Sequence, residues 1–346
     1  QTISFLKNFD GKIIFLNFTP KESKKLFKNM INICSSNNPF IYRLEILFSS
    51  FKLKKFFKYG NKKLVVVIYN ATLNSLLFYF SLRINRIKPK LIVQVEDLPL
   101  ARESNTGLKG WFDKISFAFL IKRSYTTLFA SKTMLDQAYK VYKFNCPSYI
   151  YPPSLSKNYL DIMKKRKEPF SSKNIIIMYA GSFLKEKGIF NLIEAFLKSD
   201  LKKSFLHLYG SNSEEIKSKY KNIKSIKFCG IVNDNELYEA YSKADIIVNP
   251  HLRVKNNSFI FPCKNIEILA SGALPLFSHF SFVKEPSLNI PKTYFYKSNL
   301  ELVELLNKSK DLWLSESKQI KKISLNIRRY FSRKNIEKKI FDKIIF

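Results

Sequence analysis

Apolar runs without alternation recur along the chain, and between them lie segments whose apolar positions fall at helical spacing. A run with no polar face suits a strand covered on both sides of a parallel sheet, and strands alternating with helices spell a doubly wound α/β domain. In the first half the pattern predicts a strand over Lys12 to Phe18, a helix from Pro20 to about Ile33, and a basic amphipathic helix over Tyr42 to Tyr59. Strands are then predicted at Leu64 to Tyr69, Leu91 to Glu96, Thr126 to Ala130 and Ser148 to Tyr151, with helices over Asn74 to Arg86, Gly107 to Ser124 and Lys132 to Tyr142. The uncharged run Leu64 to Leu82 is long enough to weigh as a membrane span, but Asn70 to Ser75 in its middle reads as a turn and a helix cap, giving strand plus helix.

Pro152-Pro153-Ser154 ends this series, and the polar stretch 156–173, with Lys164-Lys165-Arg166-Lys167 at its centre, is expected to be a linker. A second series follows: strand Asn174 to Ala180, loop Gly181 to Gly188, helix Ile189 to Ser199, strand Phe205 to Tyr209 closing on Gly210, helix Glu214 to Tyr220, strand Ile226 to Ile231 and helix Asp234 to Lys243. Asp245 to Pro250 then forms a strand, His251 to Phe261 a loop, Pro262 to Ser271 a helix, and Ala273 to Ser278 another strand after Gly272. The expectation is two Rossmann-like domains, 1–155 and 174–329, the first with or without its opening strand.

Composition changes this picture in one respect. The 346 residues suit two domains, but 60 Lys+Arg against 27 Asp+Glu give a formal net charge of +33. Such an excess points to an anionic partner, whether nucleic acid, a membrane face or phosphorylated substrates, although AT-rich coding also favours Lys, Asn, Ile and Phe. Cys34, Cys146, Cys229 and Cys263 are scattered with no CxxC pair, so neither a metal site nor a disulfide framework is indicated, and a reducing, cytoplasmic setting fits. Opening on Gln1 is what numbering from within a longer protein would give.

Candidate chemistry gathers where strands end. First-turn amides of a helix lack internal partners and the dipole there favours anions, so the start of the Pro262 helix, with Cys263 and Lys264 in its first turn, is a candidate anion site. Glu267, one turn on, is an acceptor for sugar hydroxyls or else a simple dipole partner. The loop Gly181 to Gly188 adds free amides with Lys185 and Lys187, suited to a diphosphate if the lysines are not merely solvated. In the first half, Glu96 and Asp97 follow a strand directly, as catalytic carboxylates would, or as solvated loop residues with Asp97 capping the turn before Pro99. Neither GxGxxG nor a Walker A lysine occurs, nor a zinc-finger, RRM or KH signature, so no nucleic acid is expected as partner.

The second half resembles the family 4 glycosyltransferases of the GT-B fold. The resemblance is carried by Tyr179-Ala180-Gly181-Ser182 through Lys187-Gly188 and Leu192 to Phe196, by Leu208-Tyr209-Gly210 and Phe228-Cys229-Gly230, by Ala244 to Pro250, and by Phe261 to Pro275. It implies a retaining, metal-independent transfer with no cofactor, from a UDP- or GDP-sugar to a glycan or lipid-linked saccharide, in cell-surface polysaccharide synthesis. The basic, aromatic first half, with Lys52, Lys54, Lys55 and Lys58 in its amphipathic helix, adds the expectation of a peripheral contact with the inner face of the membrane or of an anionic lipid-linked acceptor. Gly181, Ser182, Lys187, Gly210, Pro262, Cys263, Lys264 and Glu267 would then form the donor site, Lys187 on the diphosphate and Glu267 on the ribose. Glu96, Asp97, Lys187 and Lys264 would be catalytic, and Tyr330 to Phe346 would be a helix crossing back to the first domain. The first half resembles the family more loosely, through Glu96-Asp97, Phe129 to Lys132 and Tyr151-Pro152-Pro153. This chain departs from the family at Phe259, where many members carry a glutamate, at Ser182, where an arginine is frequent and Lys185 or Arg253 would substitute, and in lacking a glycine-rich loop before Lys12. A basic nucleic-acid-binding protein and an inactive transferase-like domain are the competing readings.

Overall fold

The computed structural model describes residues 15–17, 30–32, 34, 38–51, 53, 64–99, 107–211, 214–252, 263–279, 290–336 and 338. The chain divides into two compact units, the first ending at Pro152 and the second beginning at Pro153.

In the first unit, β1 (Phe15–Asn17) pairs in parallel with β2 (Met30–Asn32). The helix expected to reach Ile33 therefore does not include Met30–Asn32: helical spacing is a weak prior, and pairing with another strand overrides it. α1 (Pro39–Leu47) starts earlier than its apolar pattern suggests because Asn38 accepts bonds from the amides of Phe40 (2.9 Å) and Ile41 (3.4 Å), and Pro39 gives up no bond at the first turn. The basic stretch with Lys52, Lys54, Lys55 and Lys58 lies outside the described residues. Next come β3 (Val65–Tyr69), α2 (Leu73–Ile84), β4 (Lys90–Val95), α3 (Gly107–Arg123), β5 (Thr126–Phe129), α4 (Lys132–Tyr142) and β6 (Ser148–Ile150). The strands form a parallel sheet in the order β3-β4-β5-β6. The uncharged run divides at Asn70, whose left-handed φ of 46° turns the chain from β3 toward α2. No helix among the described residues is long and apolar enough to cross a membrane.

The second unit opens with α5 (Lys157–Lys164), so the stretch expected as a linker holds a helix. Ser156 caps it by accepting from the amide of Tyr159 (3.1 Å), and Tyr159 and Met163 are buried; two apolar side chains four apart are enough to seat a short helix in an otherwise charged segment. Then follow β7 (Ile175–Ala180), α6 (Ile189–Lys198), β8 (Ser204–Tyr209), α7 (Glu214–Tyr220), β9 (Ile226–Gly230), α8 (Asp234–Lys243), β10 (Ile246–Asn249), α9 (Cys263–Ser271), β11 (Leu274–Ser278), β12 (Phe295–Tyr296), α10 (Asn299–Asn307) and α11 (Ser309–Tyr330). The parallel sheet runs β12-β11-β10-β7-β8-β9. From β7 the chain lays down β8 and β9 on one side, then returns to build β10, β11 and β12 on the other. The order reverses between β7 and β10, and a crevice at the carboxyl ends of those strands is where doubly wound sheets take ligands.

Polar side chains from distant segments fasten this unit. The Arg166 guanidinium donates to the carbonyls of Tyr241 (2.8 Å) and Ala244 at the end of α8, and Asp245 accepts from the amides of Phe170 (2.6 Å) and Ile176 (2.7 Å). Burial pulls the Arg166 pKa down to about 10 and raises that of Asp245, against the two amide bonds that favour its charged form. At the end of α9, Ser324 Oγ (2.8 Å) and Arg328 Nε (2.7 Å) donate to the Ala270 carbonyl and Arg328 Nη2 to that of Ser271 (3.2 Å), so α11 satisfies carbonyls the helix itself leaves open. The Leu155 amide bonds the Phe331 carbonyl (2.8 Å), tying the end of α11 to the unit's start. Of the segment expected as a crossing helix, Tyr330 ends α11, and residues 337 and 339–346 lie outside the described residues.

Candidate functional site

At the switch point the loop after β7 and the segment after β10 meet closely. Gly210, at φ 143°, follows β8 so near to the β7 loop that a Cβ there would lie 1.7 Å from the Gly181 carbonyl oxygen. Gly188, at φ 70°, is the hinge between the turn Lys185–Lys187 and α6, and its Cβ would lie 1.9 Å from the Pro250 oxygen. Both positions need glycine for their backbone angle and for space. The Gly181 amide donates to the Tyr209 carbonyl (2.8 Å), and the Tyr179 hydroxyl donates to the Ser182 carbonyl (2.7 Å), so Ser182 is held through its backbone.

Lys187 ends the turn, and its Nζ lies 3.0 Å from His251 Nε2. The histidine's Nδ1 sits 2.9 Å from the Leu252 carbonyl, which can only accept, so Nδ1 carries the proton and Nε2 accepts from the ammonium. Burial chiefly, then the Lys187 charge, lower the His251 pKa, against the carbonyl bond that raises it. The Leu252 amide donates to the Glu186 carbonyl (2.9 Å) and Ser278 Oγ donates to the His251 carbonyl, so β10's exit is laced to the β7 loop and to β11. His251 was not among the sequence candidates; the only cue was its place directly after the Asn249-Pro250 strand end.

From α9, Lys264 sends its Nζ to the Ala180 carbonyl (2.9 Å), and a Cβ at Gly181 would come within 2.8 Å of that nitrogen. Its pKa is lowered, by burial first and by Lys187 second, while Glu267 opposes. Two ammonium groups thus approach the β7 exit, and among the described residues neither is in a salt bridge, a natural place for a polyanion. Asn265, fully buried, accepts from Asn249 Nδ2 (2.6 Å), which locks the first turn of α9 to the end of β10. Cys263 opens the helix and is exposed; Pro262 lies outside the described residues, as do Arg253 and Phe259.

Glu267 is pushed up to about 7, mainly by burial and slightly by Asp234, against the pull of Lys264 and the Tyr241 hydroxyl. Around it Tyr159 meets Tyr238 edge-on at 5.0 Å and Tyr241 at 6.2 Å, and the Tyr159 hydroxyl donates to the Glu267 carbonyl. A carboxyl so placed sits near its protonation midpoint at neutral pH and accepts strongly from hydroxyl donors once ionised.

Lys187, Lys264, Glu267, Gly181, Ser182, Gly210 and Cys263 are therefore all in the second unit around the switch point. Glu96 and Asp97 belong to the first, beyond the end of β4. There Glu96 Oε2 accepts from the Tyr69 hydroxyl (2.5 Å) and Oε1 from Gln94 Nε2 (3.3 Å), and Asn70 Oδ1 accepts from the amides of Glu96 (2.8 Å) and Asp97 (3.2 Å). Among the described residues no three His, Cys, Asp or Glu side chains come together as a metal-binding group.

Residues 162–330 match the family described as "Glycosyl transferases group 1". Among solved structures, sucrose-phosphate synthase from Thermosynechococcus elongatus is similar at 16% identity and TM-score 0.65, over 91% of this chain and 82% of that one. HepE from Anabaena, in complex with UDP and glucose, is similar at 13% identity and TM-score 0.66, over 91% of this chain and 85% of its own. The lipopolysaccharide outer core galactosyltransferase WaaB, in its apo form, is similar at 13% identity and TM-score 0.62, over 96% and 90%. No curated protein sequence matches the chain.

Proposed function

We propose that the chain, whose residues 162–330 match the group 1 glycosyl transferases and whose fold is GT-B, moves a sugar from a UDP- or GDP-sugar to a glycan or lipid-linked saccharide acceptor. The observation that carries this reading is the convergence of Lys187 and Lys264 on the β7 exit beside the start of α9. A donor diphosphate there meets two fixed cations and first-turn amides, and Glu267, one turn along α9, takes the ribose hydroxyls. In the transfer the bond between the anomeric carbon and the diphosphate oxygen breaks, and the acceptor oxygen bonds that carbon on the same face. The acceptor's proton leaves on the diphosphate. Charge growing on the leaving group is met by cations already in place, which requires no reorganisation as the bond breaks. The UDP and glucose held by the Anabaena structure support the donor class, and the lipopolysaccharide outer core named for WaaB supports a glycan on the acceptor side.

A thermal-shift series with UDP, GDP, ADP, CMP and their sugars tests this. A ligand at a hundred times its dissociation constant stabilises by about 2.7 kcal/mol, so one nucleotide should raise the melting temperature by several degrees, and Lys187→Ala and Lys264→Ala should each abolish the rise. No response to any nucleotide, alongside salt-sensitive binding of RNA or DNA, overturns the reading in favour of a nucleic-acid-binding protein. Nucleotide binding without hydrolysis or transfer of any of the sugars marks an inactive transferase-like domain.

A further inference from the structure

α3 is apolar on both sides. Its inner face buries Phe117, Leu120 and Ile121, yet Leu108 (78% exposed), the adjacent pair Trp111 (55%) and Phe112 (42%), and Ile115 (41%) share the outer face, with Leu108 and Ile115 each three and four positions from the pair. The stripe continues onto α2. The Phe119 ring lies 5.3 Å from that of Phe80, and Phe80 and Ile84 are themselves exposed. Exposed cations border it: Lys109, Lys114, Lys122 and Arg123 on α3 and Arg83 on α2, with the Arg123 guanidinium 3.6 Å from the Phe119 ring centre. Asp113 is the acidic residue of these two helices, and it is buried, its Oδ1 accepting from the Leu73 amide (3.1 Å). The exposed charge of α2 and α3 is therefore wholly positive.

We propose that this face of α3, extended by α2, docks on the surface of an anionic lipid bilayer. An amphipathic helix lies in the interface with aromatic and aliphatic side chains at the acyl boundary and Lys or Arg reaching the headgroups; Trp at that depth and a cationic border are the composition such helices show. A contiguous apolar patch in water needs a partner, and the cationic border selects a negative one. A second copy of the chain would bring the same cations against these, so self-association is opposed by charge. The surface is independent of the transferase reading, since it uses none of the residues assigned to donor binding.

The chain has two tryptophans, and Trp313 is buried (4% exposed), so Trp111 can be read by fluorescence. The full chain is mixed with vesicles of phosphatidylcholine alone or with phosphatidylglycerol added, some carrying brominated acyl chains. Co-sedimentation with the phosphatidylglycerol vesicles, a blue shift and quenching by the brominated chains are expected, with little binding to phosphatidylcholine alone. Trp111→Ser should remove the quenchable signal and leave that of Trp313. Lys114→Gln and Lys122→Gln should each weaken binding about fivefold, the equivalent of ~1 kcal/mol per basic residue at such a surface. Leu108→Glu with Ile115→Glu should abolish binding while the melting temperature holds. The proposal is overturned if Trp111 escapes quenching, or if the double variant binds vesicles as well as the parent. It is equally overturned if the chain dimerises in solution and that variant makes it monomeric.

Discussion

A single hydrogen bond sets the aim of Lys187. Its ammonium donates to a histidine nitrogen that is free to accept only because the other nitrogen's proton is engaged by the Leu252 carbonyl. His251→Ala should therefore weaken nucleotide binding by about tenfold to a hundredfold, the worth of one hydrogen bond to a charged group, whereas His251→Gln, which retains an acceptor, should recover part of the loss; isothermal titration of both variants measures it. Glu267 gives a second expectation. Its folded pKa of about 7 stands above the ordinary 4.5, so the folded state binds the proton more tightly, and its contribution to stability is full below pH 4.5 and lost as pH rises through about 7. Melting temperature should fall across that window, and Glu267→Gln should remove that part of the fall, on the order of 3 kcal/mol. The positions of the two lysines and the glutamate at strand-to-helix junctions were legible in the chain, because strand and helix periodicity marks those junctions. His251 was not, since a histidine in a loop carries no mark of the side chain it will meet.

Among the elements, the β7 to α6 junction follows the sequence pattern closely, because Gly181 and Gly188 punctuate it, and β10 and α9 keep within a residue of their expected bounds. Gly188→Ala illustrates how tight that punctuation is. A methyl group would have to occupy space taken by the Pro250 carbonyl at a φ of 70°, and a loss of about 1–3 kcal/mol in chemical denaturation is expected, accompanied by weaker nucleotide binding. α9 depends on a more distant helix. Arg328→Ala strips donors from the Ala270 and Ser271 carbonyls, and about 1–3 kcal/mol should be lost by the same measurement without a change in the nucleotide preferred. The elements that pattern reading missed have weak local signals. β2 is three residues long and exists through its partner strand, and α5 is a charged segment held by Tyr159 and Met163. α10 and α11 had no prior reading; α11 has a mean composition so polar that only its buried Trp313, Ile320 and Ile327 show which way it faces.

At the scale of the whole molecule, the +33 charge is a property of composition, and its arrangement is a property of the fold. On α2 and α3 the cations border an apolar stripe; at the switch point they converge on a strand end. What the sequence by itself determined is the alternation of strand and helix, the division into two units and the glycine, lysine and glutamate positions of the second. These follow from periodicity and from backbone demands that act over a few residues. Only the tertiary structure decided that Lys187 meets His251, sixty-four residues away, that Lys264 reaches Ala180, eighty-four away, and that Glu267 holds its proton to neutral pH. The outer face of α3 belongs with these. Its apolar spacing would equally have suited a buried helix, and exposure is settled by what the rest of the chain packs against it, which no local pattern encodes.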